Sequence, residues 1–183
     1  QTTNWGAHYL DIAQWALGMD ASGPVEVDGH GVYPSSGLFT APTRVDVRYA
    51  YANGVTMRMR TRTDGVYDGN IIFFGDKGTL DVSRSKLKSN PEGILKEQIG
   101  DGEVRLYKSR DHFANWIECV KSRELPVSDL AIGHKTTNLC NIGNIVMQLQ
   151  RRLTWDPVKE RFAGDEMANR MLTRSMRGPW SLA

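Results

Sequence analysis

The chain has 183 residues, of which 40% are hydrophobic and 24% charged, values typical of a globular domain with a core of its own. No apolar run approaches the roughly 20 residues that span a bilayer, so no membrane helix is expected. The formal net charge is only +2, and acidic residues alternate with the basic ones near the C-terminus. A dedicated nucleic-acid surface would be less mixed, so no nucleic-acid partner is expected.

The N-terminal residues lack the features of a natural start. Gln1 stands in place of an initiator Met, and no basic and apolar signal-peptide pattern follows it. We therefore expect a fragment of a longer protein. The compartment stays unknown, because a targeting signal would lie outside this sequence.

The first predicted element is a helix over about Trp5–Leu17. Ile12 and Trp15 follow Leu10 at helical spacing. Asn4 is placed to cap its start, and Gly18 to follow its end.

A strand-rich region comes next. Val25–Asp28, Val45–Tyr49 and Val55–Arg60 each alternate apolar with polar residues, which is typical of an antiparallel sheet with one buried face. Asn53-Gly54 tolerates the positive φ angles of a tight turn, so the last two of these strands are predicted to form a hairpin.

A second hairpin is predicted from Asn70–Phe74 and Thr79–Val82, joined by the turn Gly75–Gly78. Two weaker strands are predicted at Ile94–Ile99 and Glu103–Tyr107.

The last third of the chain has helical patterns. One helix is predicted over Asp111–Ser122, and a second begins at a cap formed by Ser128 or Asp129 and runs to about Leu149. The tail is predicted to hold a turn at Trp155–Pro157 and a short helix near Asp165–Arg174. No repeat or linker interrupts the chain, so we expect one α+β domain over residues 1–183, with a large, mostly antiparallel sheet.

Asn4, His8 and Asp11 form the most interesting group of side chains. Their spacing of four and three places them on one face of the first helix. A carboxylate beside a histidine fixes its tautomer and favours its protonated form, as a general acid or base requires. From spacing alone, a structural histidine bonded to Asp11 or to nearby backbone is the simpler interpretation.

The other candidate groups give weaker signals. His134 follows Gly133 near a helix start and is placed either in a cleft or in a capping position. Cys119 and Cys140 lack the spacing of a metal site, and buried free thiols are expected. No histidine pair has metal-ligand spacing, so no metal is expected.

The phosphate-binding motifs of nucleotide enzymes are missing. Gly29-x-Gly31 and Gly100-x-Gly102 do not continue as Gly-x-Gly-x-x-Gly, and no Gly-Lys-Ser/Thr loop occurs. The chain alone is therefore not expected to bind a nucleotide cofactor tightly.

Several segments together are similar to the C-terminal domain of the Gfo/Idh/MocA oxidoreductase family. The opening helix and the second hairpin are the most specific of them, and their order and spacing fit together. The segments are Asn4–Gly18, Gly23–Val27, Phe74–Leu80, His112–Trp116, Gly133–Thr137, Trp155–Pro157 and Gly164–Glu166.

The resemblance implies a parent enzyme whose separate N-terminal domain binds NAD or NADP. The present chain would be its substrate-side domain, with helices on one face of the sheet and an open face that makes homo-oligomer contacts. Small, carbohydrate-like substrates are implied. The family's Asp-x-x-x-His-x-x-Asp pattern maps its acid/base histidine onto His8 and its second aspartate onto Asp11. His134, placed to point into a cleft, is the candidate substrate-binding residue.

Asn4 departs from the family pattern, which has aspartate at this position. An amide can hydrogen-bond a hydroxyl or the imidazole, but it cannot stabilise an imidazolium as a carboxylate does. The family's catalytic Glu-Lys-Pro lysine also has no counterpart in these residues. Two alternatives therefore stay open: a non-catalytic binding or oligomerisation module, and glycoside cleavage or isomerisation by transient oxidation.

Overall fold

A computed structural model describes residues 2–61 and 69–180. They fall into two compact units, one within Gln1–Val66 and His134–Ala183 and the other within Tyr67–Gly133. The helices are α1 (Trp5–Ala16), α2 (His112–Ser122), α3 (Leu130–Leu149) and α4 (Glu166–Arg170), with a 3₁₀ helix over Glu92–Lys96. The strands are β1 (Glu26–Val32), β2 (Arg44–Ala50), β3 (Thr56–Arg60), β4 (Ile71–Gly75), β5 (Gly78–Val82), β6 (Leu87–Asn90), β7 (Leu153–Asp156) and β8 (Arg161–Phe162).

The first unit is built on a five-stranded antiparallel sheet in the order β3-β2-β1-β7-β8. Its inner face carries alternate residues of β2, and Val47 and Tyr49 are fully buried. The Tyr49 hydroxyl donates a hydrogen bond of 3.0 Å to the Leu139 carbonyl of α3. The predicted α+β fold, with helices on one face of an antiparallel sheet, is confirmed.

The helix α1 packs against the same inner side. Leu10, Ala13 and Gln14 are its buried residues. The Tyr51 hydroxyl lies 2.7 Å from the Gln14 side-chain oxygen, and the amide nitrogen of Gln14 donates to the Met19 carbonyl. These bonds satisfy a polar side chain that would otherwise be costly to bury.

The outer face of the five-stranded sheet is charged. Arg48 on β2 lies opposite Asp28 on β1, at 3.0 Å between guanidinium and carboxylate. Arg58 on β3 forms a forked pair with Asp46 on β2, and this hydrogen bond is the main reason that the pKa of Asp46 lies below its ordinary value. Cross-strand pairs of opposite charge stabilise a solvated sheet face.

The predicted hairpin between β2 and β3 is present, but its turn is of a different type. The Gly54 amide donates to the Tyr51 carbonyl, and the Tyr51 amide donates to the Val55 carbonyl. Gly54 has φ +87°, and Asn53 is not among the described residues with positive φ. This is a three-residue loop with a glycine bulge rather than a two-residue Asn-Gly turn.

The second unit contains the three-stranded sheet β4-β5-β6, in which the predicted second hairpin is confirmed. Gly78 closes its turn at φ +146°, and a Cβ there would collide with the Asn90 carbonyl of β6. The helix α2 is capped by Asp111, whose carboxylate accepts from the Ala114 amide at 2.7 Å.

Two predicted strands are wrong. The first half of Ile94–Ile99 belongs to the 3₁₀ helix and the second half has no regular structure, and Glu103–Tyr107 forms no strand. The third strand of the sheet is instead Leu87–Asn90, which is too polar to show alternation.

The ends of the other predicted helices match the structure closely. The helix α1 ends one residue before its predicted end, with Gly18 at φ +66° just beyond. Asn4 occupies the capping position, but its side chain makes no capping hydrogen bond. Asp129 caps α3 through bonds from the Ala131 and Ile132 amides.

The tail differs from the prediction, because it contains the strands β7 and β8 and a helix that ends at Arg170 rather than near Arg174. Trp155 lies in β7, opposite Phe162 of β8, with ring centroids 5.0 Å apart. The turn therefore follows Asp156 rather than beginning at Trp155. The predicted short helix is α4, capped by Asp165.

Candidate functional site

His8 lies in the second turn of α1 with its side chain at the surface. Its imidazole contacts the Trp5 indole one turn earlier, at 5.5 Å between ring centroids and a tilt of 51°. Asn4 is exposed at the start of the same helix. The helical spacing thus presents an amide, an indole and an imidazole side by side at one end of α1.

Asp11 has a different partner from the one the sequence suggested. Its Oδ1 accepts a hydrogen bond of 2.7 Å from Thr136 Oγ1 on α3, and Thr136 is only 7% exposed. No hydrogen bond joins Asp11 to His8 within residues 2–61 and 69–180. Asp11 therefore joins α1 to α3, and it sits near His8 without orienting the imidazole directly.

His134 lies on α3, two residues before Thr136, in a hydrogen-bonded cluster. Its Nε2 is 2.7 Å from Glu160 Oε2 and 3.2 Å from the Asn138 amide nitrogen. Lys135 Nζ donates to Glu160 Oε1 at 2.7 Å and to the Pro157 carbonyl at 3.2 Å.

The charges of this cluster favour an ionised Glu160. The hydrogen bond from Lys135, and then the one from His134, hold the pKa of the Glu160 carboxyl below its ordinary value. A carboxylate bonded to a histidine is the arrangement that the sequence suggested for His8, and the structure has it at His134 instead.

The cluster borders a small cavity. Lys135, Asn138 and Glu160 contribute to its walls together with Gly23 and Trp155. Its volume of about 10 Å³ is close to what a single water needs, so it does not accommodate a substrate. A ligand at His134 would have to bind from the exposed side of the imidazole, which is 56% exposed.

Sequence reasoning missed Thr136 and Glu160. Thr136 stands in the Gly133–Thr137 segment, but its partner Asp11 is 125 residues away in the chain. Glu160 lies in a turn with φ +51° between β7 and β8, which periodicity did not show. Only the long-range packing of α1, α3 and the tail reveals these two residues.

Both cysteines are free and buried, as predicted. Burial raises the pKa of the Cys140 thiol to about 11, so it is not a nucleophile near neutral pH. Among residues 2–61 and 69–180, no three His, Cys, Asp or Glu side chains are grouped as a metal ion would need. No helix of this part of the chain is long and apolar enough to cross a membrane.

One of the two glycine pairs considered for phosphate binding, Gly29 and Gly31, has a packing role. Gly29 and Gly31 lie within β1, which pairs antiparallel with β2. A Cβ on Gly29 would meet the backbone of Asp46 and Val47, and one on Gly31 would crowd Met147 Sδ on α3. Gly29 and Gly31 therefore do not form the loop between a strand and a helix that binds a dinucleotide.

Residues 2–182 match the protein family described as "Oxidoreductase family, C-terminal alpha/beta domain", the Gfo/Idh/MocA type. The chain belongs to this family. No curated protein matches it.

Two solved structures are similar to this chain in fold. The WlbA dehydrogenase from Bordetella pertussis, in complex with NADH and UDP-GlcNAcA, is similar with a TM-score of 0.58 and 17% identity, over 85% of this chain and 44% of that one. An oxidoreductase from Agrobacterium radiobacter, in complex with NAD⁺, L-tartaric acid and magnesium, gives a TM-score of 0.58 and 16% identity, over 84% of this chain and 48% of that one. At these identities the likeness shows the fold. This chain spans less than half the length of either protein.

Proposed function

We propose that this chain is the substrate-side domain of an NAD(P)-dependent oxidoreductase that acts on a sugar, a polyol or a related hydroxyl compound. The observation that carries the proposal is the exposed imidazole of His8 at the start of α1, in a domain of an oxidoreductase family. NADH and NAD⁺ bound to the two similar structures support a nicotinamide cofactor in the parent protein.

The chemistry assigned to His8 is proton transfer. Oxidation of an alcohol breaks its O–H and C–H bonds and forms a carbonyl, so a base must take the hydroxyl proton. Histidine is the side chain that most often transfers protons in general acid–base catalysis. The cofactor, which receives hydride when bound, would be held by other parts of the parent protein.

Asn4 and Asp11 support His8 in this proposal by different means. The Asn4 side chain does not cap α1, so its amide is available to hydrogen-bond a substrate hydroxyl. Asp11 acts through the fold, because its bond to Thr136 fixes α1 against α3. His134 is proposed as a substrate-binding residue, on the evidence of its exposed ring and its bonds to Glu160 and Asn138.

The test uses the full-length protein that carries this domain. Reduction of NAD⁺ and NADP⁺ is screened against sugars and polyols, with His8→Ala and the matched control His112→Ala. His112 is also an exposed histidine beside an aromatic ring, with its ring centroid 4.2 Å from that of Phe113. We expect His8→Ala to lower kcat/KM by about 10²–10⁴-fold with cofactor binding intact, and the control to change little.

Other outcomes would identify the alternatives. Cofactor binding without turnover on any substrate, and without an effect of His8→Ala, would favour a binding or oligomerisation module. Exposed apolar side chains on the outer sheet face would have favoured a subunit interface, but the outer residues of β1 to β3 are mostly charged. Release of an aglycone without net cofactor reduction would identify cleavage by transient oxidation.

A further inference from the structure

The bond between His134 and Glu160 constrains which ring nitrogen carries a proton. An ionised carboxylate can only accept hydrogen bonds, and Glu160 Oε2 lies 2.7 Å from Nε2 of His134. Nε2 therefore bears the proton and donates it to Glu160. In the neutral imidazole, Nδ1 is then the acceptor.

The neighbouring groups are consistent with this tautomer. The Asn138 amide nitrogen lies 3.2 Å from the same Nε2, and a half-turn about its last side-chain bond replaces this nitrogen with the amide oxygen, an acceptor that is compatible with a protonated Nε2. Nδ1 makes no hydrogen bond to residues 2–61 or 69–180, and the side chain is 56% exposed.

The Lys135 ammonium is already bonded within the cluster. Its ammonium donates to Glu160 Oε1 and to the Pro157 carbonyl, and its side chain is only 21% exposed. It is therefore poorly placed to bind an anion beside His134. When the imidazole carries a single proton, on Nε2, it offers a ligand an acceptor nitrogen at Nδ1, which suits a hydroxyl group as donor.

We infer that Glu160 is a positioning residue that holds His134 as the Nε2–H tautomer, with Nδ1 directed at a neutral hydroxyl of the substrate. The role in substrate recognition rests on the proposed function, whereas the tautomer does not. Glu160 comes from the turn between β7 and β8, so the tail of the domain takes part in substrate recognition through α3.

The tautomer is tested by nitrogen NMR of the full-length protein labelled with ¹⁵N-histidine, with the His134 signals assigned by their loss in His134→Ala. The spectra are recorded at a pH high enough that the imidazole carries one proton, and we expect that proton on Nε2 and none on Nδ1 in the native protein. In Glu160→Gln, an amide that can donate as well as accept should leave a mixture of tautomers. The matched control is Glu166→Gln, which removes the same charge from the exposed Arg161–Glu166 pair of the tail. A native tautomer retained in Glu160→Gln would overturn the inference.

The recognition role is tested by steady-state kinetics with a substrate found in the screen described above. Loss of a contact made equally in ground state and transition state raises KM and leaves kcat unchanged. We expect Glu160→Gln to raise KM by about fivefold to tenfold with little change in kcat. An unchanged KM, or a loss of activity matched by a loss of thermal stability, would overturn this role. Without turnover on any hydroxyl compound the proposed function fails, and the NMR result still decides whether Glu160 positions His134.

Discussion

Thr136 on α3 donates a hydrogen bond of 2.7 Å to the Asp11 carboxylate on α1, across 125 residues of sequence. The two helices pack on the inner side of the five-stranded sheet, where Leu10 and Leu139 are almost completely buried. The bond therefore fixes the helix that carries His8 against the core. Any shift of α1 along α3 would break it.

Thr136→Val tests the hydrogen bond between Thr136 and Asp11, because valine keeps the shape of threonine and removes the hydroxyl. A buried donor lost from a carboxylate should lower the free energy of unfolding by about 1–2 kcal/mol. The measurement is urea denaturation, with Thr56→Val on the exposed side of β3 as control. Equal effects of the two substitutions would show that this hydrogen bond does not stabilise the domain.

Gly143→Ala should be strongly destabilising. Gly143 is buried on α3, and an added Cβ would collide with the Tyr49 hydroxyl. Displacing that hydroxyl also breaks its bond to Leu139, so a loss of about 2–3 kcal/mol in the free energy of unfolding is expected.

The same helix provides the control. Gly133→Ala adds a methyl group with no heavy atom within 4 Å, and it should raise stability by up to about 1 kcal/mol through helix propensity. Adding Tyr49→Phe to Gly143→Ala should restore much of the lost stability, because it removes the colliding oxygen. Additive losses in the double variant would contradict the collision.

Local patterns were enough to predict most of the fold. The alternation in β2 and β3, and the caps Asp111 and Asp129, depend on residues close in sequence. Strand β6 was missed because Leu87–Asn90 is polar and lies at a sheet edge, held by pairing with β5. Strand β7 does alternate, but the Asp156-Pro157 turn signal hid its pairing with β1.

The candidate site was harder to predict than the fold, because its hydrogen-bond partners are far apart in the sequence. The shared face predicted for Asn4, His8 and Asp11 follows from helix geometry, and in the structure His8 and Asp11 lie on α1 while Asn4 precedes it. The partners of these residues come from distant segments. The spacing suggested a hydrogen bond between Asp11 and His8. In the structure Asp11 accepts a hydrogen bond from Thr136, and His134 is bonded to the Glu160 carboxylate of the tail.

Asp165 should make the stability of the tail depend on pH. Its hydrogen bond from Arg151, and next the one from the Ala168 amide, lower its pKa from 3.8 to about 2. A carboxyl whose pKa is lower in the folded state stabilises that state above the ordinary pKa and loses this contribution as the pH falls towards the folded value. The window is therefore between about pH 4 and about pH 2.

Asp165→Asn isolates this charge, because asparagine still caps a helix. The free energy of unfolding should be lower in the variant than in the native protein at neutral pH, and the two values should converge as the pH falls through that window. Urea denaturation at a series of pH values measures the free energy of unfolding of the variant and of the native protein. A difference that stays constant down to about pH 2 would contradict the assignment.

Asn4→Asp introduces the carboxylate that the family pattern has at this position. The new carboxylate would lie one helical turn before His8 and would favour the imidazolium that forms when the base takes a proton. If His8 is the proton acceptor, kcat/KM should rise by about threefold to tenfold, a modest part of the range for acid–base catalysis. A negative charge at the start of α1 should also add about 0.5 kcal/mol of stability through the helix dipole.

The measurement for Asn4→Asp is turnover of the full-length protein. The control variant is Asn141→Asp, which adds the same charge at an exposed position of α3. An increase shared by both variants would indicate a general charge effect, and a decrease in Asn4→Asp alone would show that the amide itself binds the substrate.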